Sequence, residues 1–558
     1  MKRKLAGTPT QQFHHPLRKC GATCDLMVWT QPCEWQSAAV EAGGFHGHQV
    51  TCDRNPQICR ASEKLPQPLQ VRANVLRGQA LPLVRFRQHA LICEQGKRAF
   101  VVGLTRAALG SVVHFPEIDR LWNSPMKTGI TCILLMVAML IFHYRERLWK
   151  PARLVFLAGF VLVNAIAFLQ AFQLMQVRIR TLPEWDVRVF WIYGQLTAHG
   201  ENVYALESYQ RFYKELNPDR DFTEAVMRVG ATYPPPTMFL FRPLGCCAMQ
   251  SAFGYWYVFL GLCVLVAIEL LRRTFVKNDG LWGLAFVVLL IFGLHGTWDT
   301  IRFGQTNFLA LVLLLLYWRD REDPWAGIWV ALGAVIKLYI GVLLLDALLL
   351  KRWRVLTWAA LMGLVLSVTS LMLLGPRTFV SYFTLHPISR VPAWVYVEWM
   401  NQSLLGTILR LTHAKIAGGS LGMNPVFLAS ALILIVVTAW LVYRLDPASV
   451  WSLPLWVLLA LIIYPGTLAH YSVMLLPVLL LIWKEREKTP LGAPASAIFI
   501  TLIIGLVGFH SHAFTAHVVT WIAIAGLAVW TGPRDQRASA SFRRLDQVTA
   551  LDPRSGSG

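Results

Sequence analysis

Serial apolar runs divided by polar loops constrain this chain more than any other feature. They fall at about 128–142, 152–175, 253–271, 281–296, 307–318, 325–350, 355–374, 424–443, 450–464, 470–483, 493–509 and 514–530. A hydrocarbon core needs roughly 20 apolar residues per helical crossing, and helices satisfy their own backbone polar groups there. The composition agrees: 55% hydrophobic, 15% charged and a mean hydropathy of +0.47. Soluble chains carry roughly 25% charged residues, so a large soluble enzyme is excluded. Extended disorder is excluded by the same apolar content. The expectation is an all-α, polytopic integral membrane protein with about twelve to thirteen crossings. Two loops, about 176–252 and about 375–423, are long enough to build a site on one side of the membrane.

The net charge of +21, from 52 Lys+Arg against 31 Asp+Glu, first suggests nucleic acid. No basic stripe lies on a polar, foldable domain, so no nucleic-acid partner is expected. Basic residues instead mark cytoplasmic loops. Arg145, Arg147, Lys150 and Arg153 precede the span 152–175, and Arg272, Arg273 and Lys277 follow 253–271. Arg319 and Arg321 follow 307–318. Parity then tests the run 325–350. As one helix it would place Lys351, Arg352 and Arg354 outside. As two short half-crossings breaking near Lys337 it places them inside, and Lys484, Arg486 and Lys488 then fit as well. Both long loops become extracytoplasmic, in the plasma membrane or, for a Gram-negative cell, the inner membrane.

Residues 1–125 differ from the rest. They hold 16 Lys+Arg, 8 Asp+Glu and six of the ten cysteines, without helical or strand periodicity. The Cys spacings match no zinc or disulfide framework. Met126-Lys127 directly precedes an apolar run, as a membrane protein commonly begins. Residues 1–125 therefore read as an extension upstream of the true start, or as a basic tail. If 128–142 crosses, that segment lies outside, against the positive-inside pattern. Residues 126–530 read as the membrane domain, and 531–558 as a basic cytoplasmic tail.

Polar residues gather on the extracytoplasmic side. Asp186 opens a segment in which Val187, Phe190, Trp191 and Gly194 share one helical face, suited to the membrane interface. Its carboxylate can serve as a general base or simply favour a helix start. Tyr233 leads three prolines that fix a rigid connector, and can wall a site. Arg302 can fork onto phosphate, while Gln305 and Asn307 can bind hydroxyls, or the group can cap a helix. Lys337 is an intramembrane charge, which points to function unless it snorkels to the interface. Asn401 belongs to an Asn401-Gln402-Ser403 sequon in the second loop, and His470 starts the next span. No P-loop or dinucleotide fingerprint is present in the sequence, so activated substrate must arrive in another form.

Taken in order, these segments resemble glycosyltransferase family 87, whose members have the GT-C fold. The carrying pieces are Asp186 with Phe190, Tyr193 and Gly200 to Tyr204; Tyr233 with its prolines; Gly304-Gln305-Thr306-Asn307; Ile336-Lys337-Leu338-Tyr339; Asn401 to Leu404; and His470-Tyr471 before Pro477. The resemblance covers about residues 150–530. It implies a polyprenyl-phosphate sugar as donor, often mannose, and inverting transfer of a hexose to an extracytoplasmic glycolipid or glycan. It also implies Asp186 as general base, Lys337 and His470 as donor-phosphate contacts, and Gln305, Asn307 and Asn401 as site-lining residues. Arg302 is added as a third phosphate contact on chemical grounds.

One catalytic carboxylate is chemically sufficient. Glycosidases need an acid because an alkoxide leaves poorly. A lipid phosphate leaves readily, so cations aimed at it can replace the acid. No metal or cofactor is expected beyond the lipid-linked donor. The rival readings are a transporter or flippase for lipid-linked sugars, built on broken helices, or a glycan ligase or polymerase. The sequence shows one such break, at 325–350.

Overall fold

The structure, a computed structural model, describes residues 125–181, 186–216, 231–385, 391, 393–412, 424–445 and 449–530. These lie in one unit, His114–Gly558. The expectations for residues 1–124 and for the tail 531–558 lie outside the described residues. Among the described residues the secondary structure is helical, with a single isolated bridge between Asn401 and Leu468.

Every apolar run becomes helix. The first half comprises α1 (Pro125–Tyr144), α2 (Lys150–Thr181), α3 (Asp186–Ala198), α4 (Leu206–Leu216), α5 (Met249–Phe275), α6 (Gly280–Gly293), α7 (His295–Phe303) and α8 (Asn307–Asp320). Next come α9 (Ala326–Ile336), α10 (Leu343–Leu349), α11 (Trp353–Thr384), α12 (Leu404–Thr412) and α13 (Pro425–Arg444). The chain then forms α14 (Ser452–Ile463), α15 (Leu476–Lys484), α16 (Gly492–Gly508) and α17 (Ala513–Trp530). Among the described residues, six helices are long and apolar enough to cross a membrane alone: α1, α2, α5, α11, α13 and α17. The pair Lys277–Gly293 and His295–Phe303, bent by 68°, makes a seventh candidate span. Five further apolar segments are of 10–17 residues, so the twelve or thirteen crossings read from the sequence depend on short and broken helices.

Burial sorts the helices into two sets. On α14, Leu453, Leu455, Leu458 and Leu459 are fully buried, as are Leu479, Leu480 and Trp483 on α15. A helix that is apolar all round belongs inside. On α1, α2, α11 and α13, large side chains such as Leu134, Leu154, Met372 and Leu432 are more than half exposed. In an integral membrane protein such faces meet lipid rather than water. The helix α1 packs firmly: the Phe142 ring stacks on Phe286 of α6 at 4.7 Å.

The loops marked by basic residues are tied together. Arg145 pairs with Asp279 beyond α5. Arg486 donates to His143 Nδ1 at 3.3 Å, and Lys484 donates to the Thr274 carbonyl at 3.2 Å. Arg352 pairs with Glu322 at 2.6 Å and with the fully buried Asp346 at 3.3 Å. These last contacts join the two ends of the segment 326–349. Between them the helix breaks at Lys337, in extended backbone (φ −143°, ψ 103°). The expected fold-back at Lys337 is therefore present. The bend at 277–303 is a second broken segment, which the sequence reading did not contain.

Candidate active site

Asp186 is placed by α3, and α3 is held by close backbone contact. A Cβ on Gly194 would lie 2.3 Å from the Phe241 carbonyl oxygen, and one on Gly245 would lie 2.2 Å from Gly194. Trp191 Nε1 donates to the Cys247 carbonyl at 3.1 Å, and Gln195 Nε2 to that of Gly245 at 2.8 Å. The Phe190 ring stacks on Phe241 at 4.3 Å and meets Tyr233 edge-on at 5.7 Å. The shared face of Val187, Phe190, Trp191 and Gly194 therefore does not rest on the membrane surface. It is buried in protein, because its aromatic side chains find ring partners there.

The carboxylate's partner comes from the end of α7. Gly304 is left-handed (φ +66°), its N–H bonds the Ile301 carbonyl at 3.2 Å, and the Gln305 N–H bonds that of Thr300 at 2.9 Å. This is a Schellman stop, which favours glycine. A second constraint acts on the same residue: a Cβ there would lie 1.9 Å from Val187 Cγ2. Trp256 Nε1 donates to the Gly304 carbonyl at 2.7 Å. The turn thus nestles against the residue after Asp186 and delivers Gln305 to it.

Gln305 bridges two charges. Its side chain hydrogen-bonds the Asp186 carboxylate. Its Oε1 accepts from Lys337 Nζ at 3.1 Å. The carboxylate has no proton to donate, so the amide NH2 serves it. Lys337 Nζ also donates to Tyr471 Oη at 3.1 Å and lies 4.3 Å from that ring's centroid. Lys337 is only 5% exposed, so it does not snorkel. Thr237, just after the three prolines, donates to the Val335 carbonyl at 2.6 Å and ties that connector to the break before Lys337. Burial pushes the Asp186 carboxyl above its ordinary value; the Gln305 hydrogen bond and the Lys337 charge oppose that rise.

Tyr233 joins this group. It lies close enough to Asp186 and Thr306 to feel both, and burial, the larger influence, holds its phenol well above the ordinary value. It therefore stays a neutral hydrogen-bonding group. The other expected residues divide. His470 is 2% exposed, beside Phe303 (6.0 Å) and Tyr471 (5.0 Å). Asn307 is buried and braces the site from behind: its Nδ2 donates to Thr300 Oγ1 at 3.0 Å and to the His470 carbonyl at 3.3 Å. Asn401 likewise donates to the Pro465 carbonyl at 2.9 Å and accepts from Ser403 Oγ at 2.7 Å. At 1% exposure it pins the second loop to the turn before His470, and the sequon is closed to glycosylation. Arg302 is not brought to Lys337. It is exposed, lies 5.7 Å over the Phe303 ring, and lines a cavity with His295 and Trp298.

Four residues near this group in space or sequence were given no role from the sequence, although Tyr339 and Tyr471 stand in the motifs named above. Tyr339, Tyr464 and Tyr471 form a cluster, with Tyr339 at 5.6 Å from Tyr464 and 5.5 Å from Tyr471. Arg188, two residues after Asp186, is 7% exposed. The tyrosines had a signal in their adjacency to Lys337 and His470; Arg188 had none, because an arginine on a loop helix reads as solvated. Among the described residues, no three His, Cys, Asp or Glu side chains gather as a metal site.

Comparison with known proteins fits this picture. An enzyme of Mycobacterium tuberculosis, the polyprenol-phosphate-mannose-dependent alpha-(1-2)-phosphatidylinositol mannoside mannosyltransferase, is 26% identical over 287 residues, 46% of this chain and 63% of the relative. An alpha-(1->3)-arabinofuranosyltransferase of the same species is 27% identical over 322 residues, 51% and 66% of the two chains. The mannosyltransferase of Mycolicibacterium smegmatis is 23% identical over 338 residues, 54% and 74%. The chain thus spans just under two thirds of the first two relatives. No solved structure matches it. The profile of glycosyltransferase family 87 matches residues 231–465, which hold Tyr233, Arg302, Gln305, Asn307, Lys337 and Asn401 but neither Asp186 nor His470. The resemblance read from the order of the motifs is thereby borne out: residues 231–465 match the model of glycosyltransferase family 87.

Proposed function

We propose that this protein is a membrane glycosyltransferase that moves a sugar from a polyprenyl-phosphate carrier to a hydroxyl acceptor on the extracytoplasmic side, with inversion. The observation that carries this reading is the connected row Asp186–Gln305–Lys337–Tyr471. It sets one carboxylate beside one buried ammonium, which is the pair the reaction needs. Asp186 takes the proton from the acceptor hydroxyl as its oxygen attacks the anomeric carbon. The bond from that carbon to the phosphate oxygen breaks, and the lipid phosphate leaves with the electron pair. Lys337 stabilises the charge gathering on that phosphate, with His470 beside it. Gln305 holds acid–base and leaving-group sides in register. The protein's own residues supply every step, so transfer is expected to survive chelation of divalent metals.

The relatives' names include both a mannosyl- and an arabinofuranosyl-transferring enzyme, so the sugar is decided by experiment. The hexose, mannose first, is the reading argued above. Membranes containing the protein are supplied with polyprenyl-phosphate mannose, glucose or arabinofuranose, with wild type and Asp186→Asn in parallel. Loss of a general base is expected to cost at least 10²–10⁴-fold, by order of magnitude. A fully active Asp186→Asn protein overturns the assignment. The two broken segments, at 295 and at 337, are a feature shared with transporters. Movement of intact donor across vesicles by purified protein, without transfer to any acceptor, would favour that second reading.

A further inference from the structure

The break that presents Lys337 also presents Tyr339. Directly after it the chain turns as a 3₁₀ helix, Leu338–Val342, with the Ile340 N–H on the Lys337 carbonyl at 3.0 Å. Leu338 is 57% exposed, whereas Tyr339 is 4% exposed. The Tyr339 ring lies 5.5 Å from that of Tyr471 and 5.6 Å from that of Tyr464, so neighbouring rings hold it in place. The Tyr471 hydroxyl accepts from Lys337, and that of Tyr204 donates to the Tyr233 carbonyl at 2.9 Å. The Tyr339 hydroxyl has no such partner; among the described tyrosines it is the one buried hydroxyl of which this is true. A hydroxyl buried without a partner is costly, so a group that arrives to pair it is bound the more tightly.

The place of that hydroxyl says what would pair it. It bears electrostatically on the phenols of Tyr233 and Tyr471, and both of these also feel the Asp186 carboxylate. Lys337, two residues away, donates to Gln305 and Tyr471 and not to Tyr339. Tyr339 thus stands outside the ammonium's own cradle, alongside the interval between Lys337 and Asp186. In the transfer proposed above, on which this inference rests, the leaving phosphate is at Lys337 and the attacking hydroxyl at Asp186. The sugar ring occupies the interval, because its anomeric carbon is bonded to the first and attacked by the second. We propose that the Tyr339 hydroxyl hydrogen-bonds one hydroxyl of the transferred sugar, which makes Tyr339 a specificity-determining residue. A site built to pair a substrate hydroxyl rejects the analogue that lacks it, because the protein's own group is then left buried and unpaired. Apolar fit alone discriminates far less.

The test ranks polyprenyl-phosphate mannose, glucose and arabinofuranose by binding to purified full-length protein. The tightest is then compared with its monodeoxy analogues and with bare polyprenyl phosphate. Wild type should bind one analogue roughly tenfold or more weaker than the parent. Tyr339→Phe should bind the parent and that analogue alike, with its affinity for bare polyprenyl phosphate at the wild-type value. Phe keeps the ring contacts, and removal of an unpartnered hydroxyl should leave the thermal midpoint of the ligand-free protein unchanged or raised. Wild type that binds every monodeoxy analogue as tightly as the parent overturns the contact. So does a Tyr339→Phe protein that keeps the wild-type discrimination, or that loses affinity for bare polyprenyl phosphate as much as for the sugar-bearing donor. In transfer assays kcat/KM should repeat the binding pattern. That binding pattern with no transfer to any acceptor defeats the transferase reading and leaves the Tyr339 contact standing.

Discussion

At the scale of single residues, the site is a balance of charges held out of water. A base at Asp186, as proposed, must be ionised, and burial raises its pKa while Gln305 and Lys337 lower it. Activity should fall as pH drops through that raised value, so the acid limb of kcat/KM should lie above the ~3.9 of an ordinary aspartate. Gln305→Met removes one of the two lowering influences and should move the limb further up. A limb that stays at the ordinary value, or moves down, would contradict the proposed base. Asp186 and Lys337 were legible in the sequence because a carboxylate just beyond an apolar run, and a lysine within one, are both conspicuous. Asn307 and Asn401 were legible as polar residues but not in their work. Whether an amide points at substrate or at a neighbouring carbonyl depends on backbone from distant segments, such as Pro465 and His470. Arg302 shows the same limit: its chemistry suits phosphate, and its exposed place on the last turn of α7 follows from the bend at 295.

Elements explain how those residues meet. The contact between Gly304 and Val187 fixes the distance between α3 and the end of α7. Gly304→Ala should be costly twice, through the left-handed backbone, about 1 kcal/mol or more, and through collision with Val187. Val187→Ala in the same chain relieves the collision only. The double variant should therefore recover part of the thermal stability and of the turnover; if the single variant is as stable and active as wild type, the contact does not set the register. The break at Lys337 was legible from charge parity, since only a fold-back returned Arg352 to the basic side. The bend between α6 and α7 was not, because Leu294 and His295 interrupt a continuous apolar run with no proline to mark it. The kink in α11, by contrast, sits at Gly375 (φ +79°) and Pro376, residues that announce it.

For the whole molecule, hydrogen bonds and ion pairs among Arg145, Asp279, Arg486, His143, Arg352 and Glu322 gather the basic loops, whereas Asp186, Gln305, Lys337 and Tyr471 meet where the alternating helices turn at their other ends. Cysteines placed singly at Lys351 and at His199 should react with a membrane-impermeant thiol reagent from opposite faces of sealed vesicles, Lys351 from the cytoplasmic one. Reaction of both from one face would refute the assigned topology. The same architecture has a consequence for synthesis. Lys337 enters the bilayer well before the ribosome reaches Tyr471, which gives the ammonium its aromatic partner. Until then the nascent protein carries an incompletely matched intramembrane charge, a mark that membrane quality control can read. Chains halted before residue 469 should be degraded faster than Lys337→Leu chains halted at the same point, so the pair proposed to serve the reaction would also report that the protein has been finished.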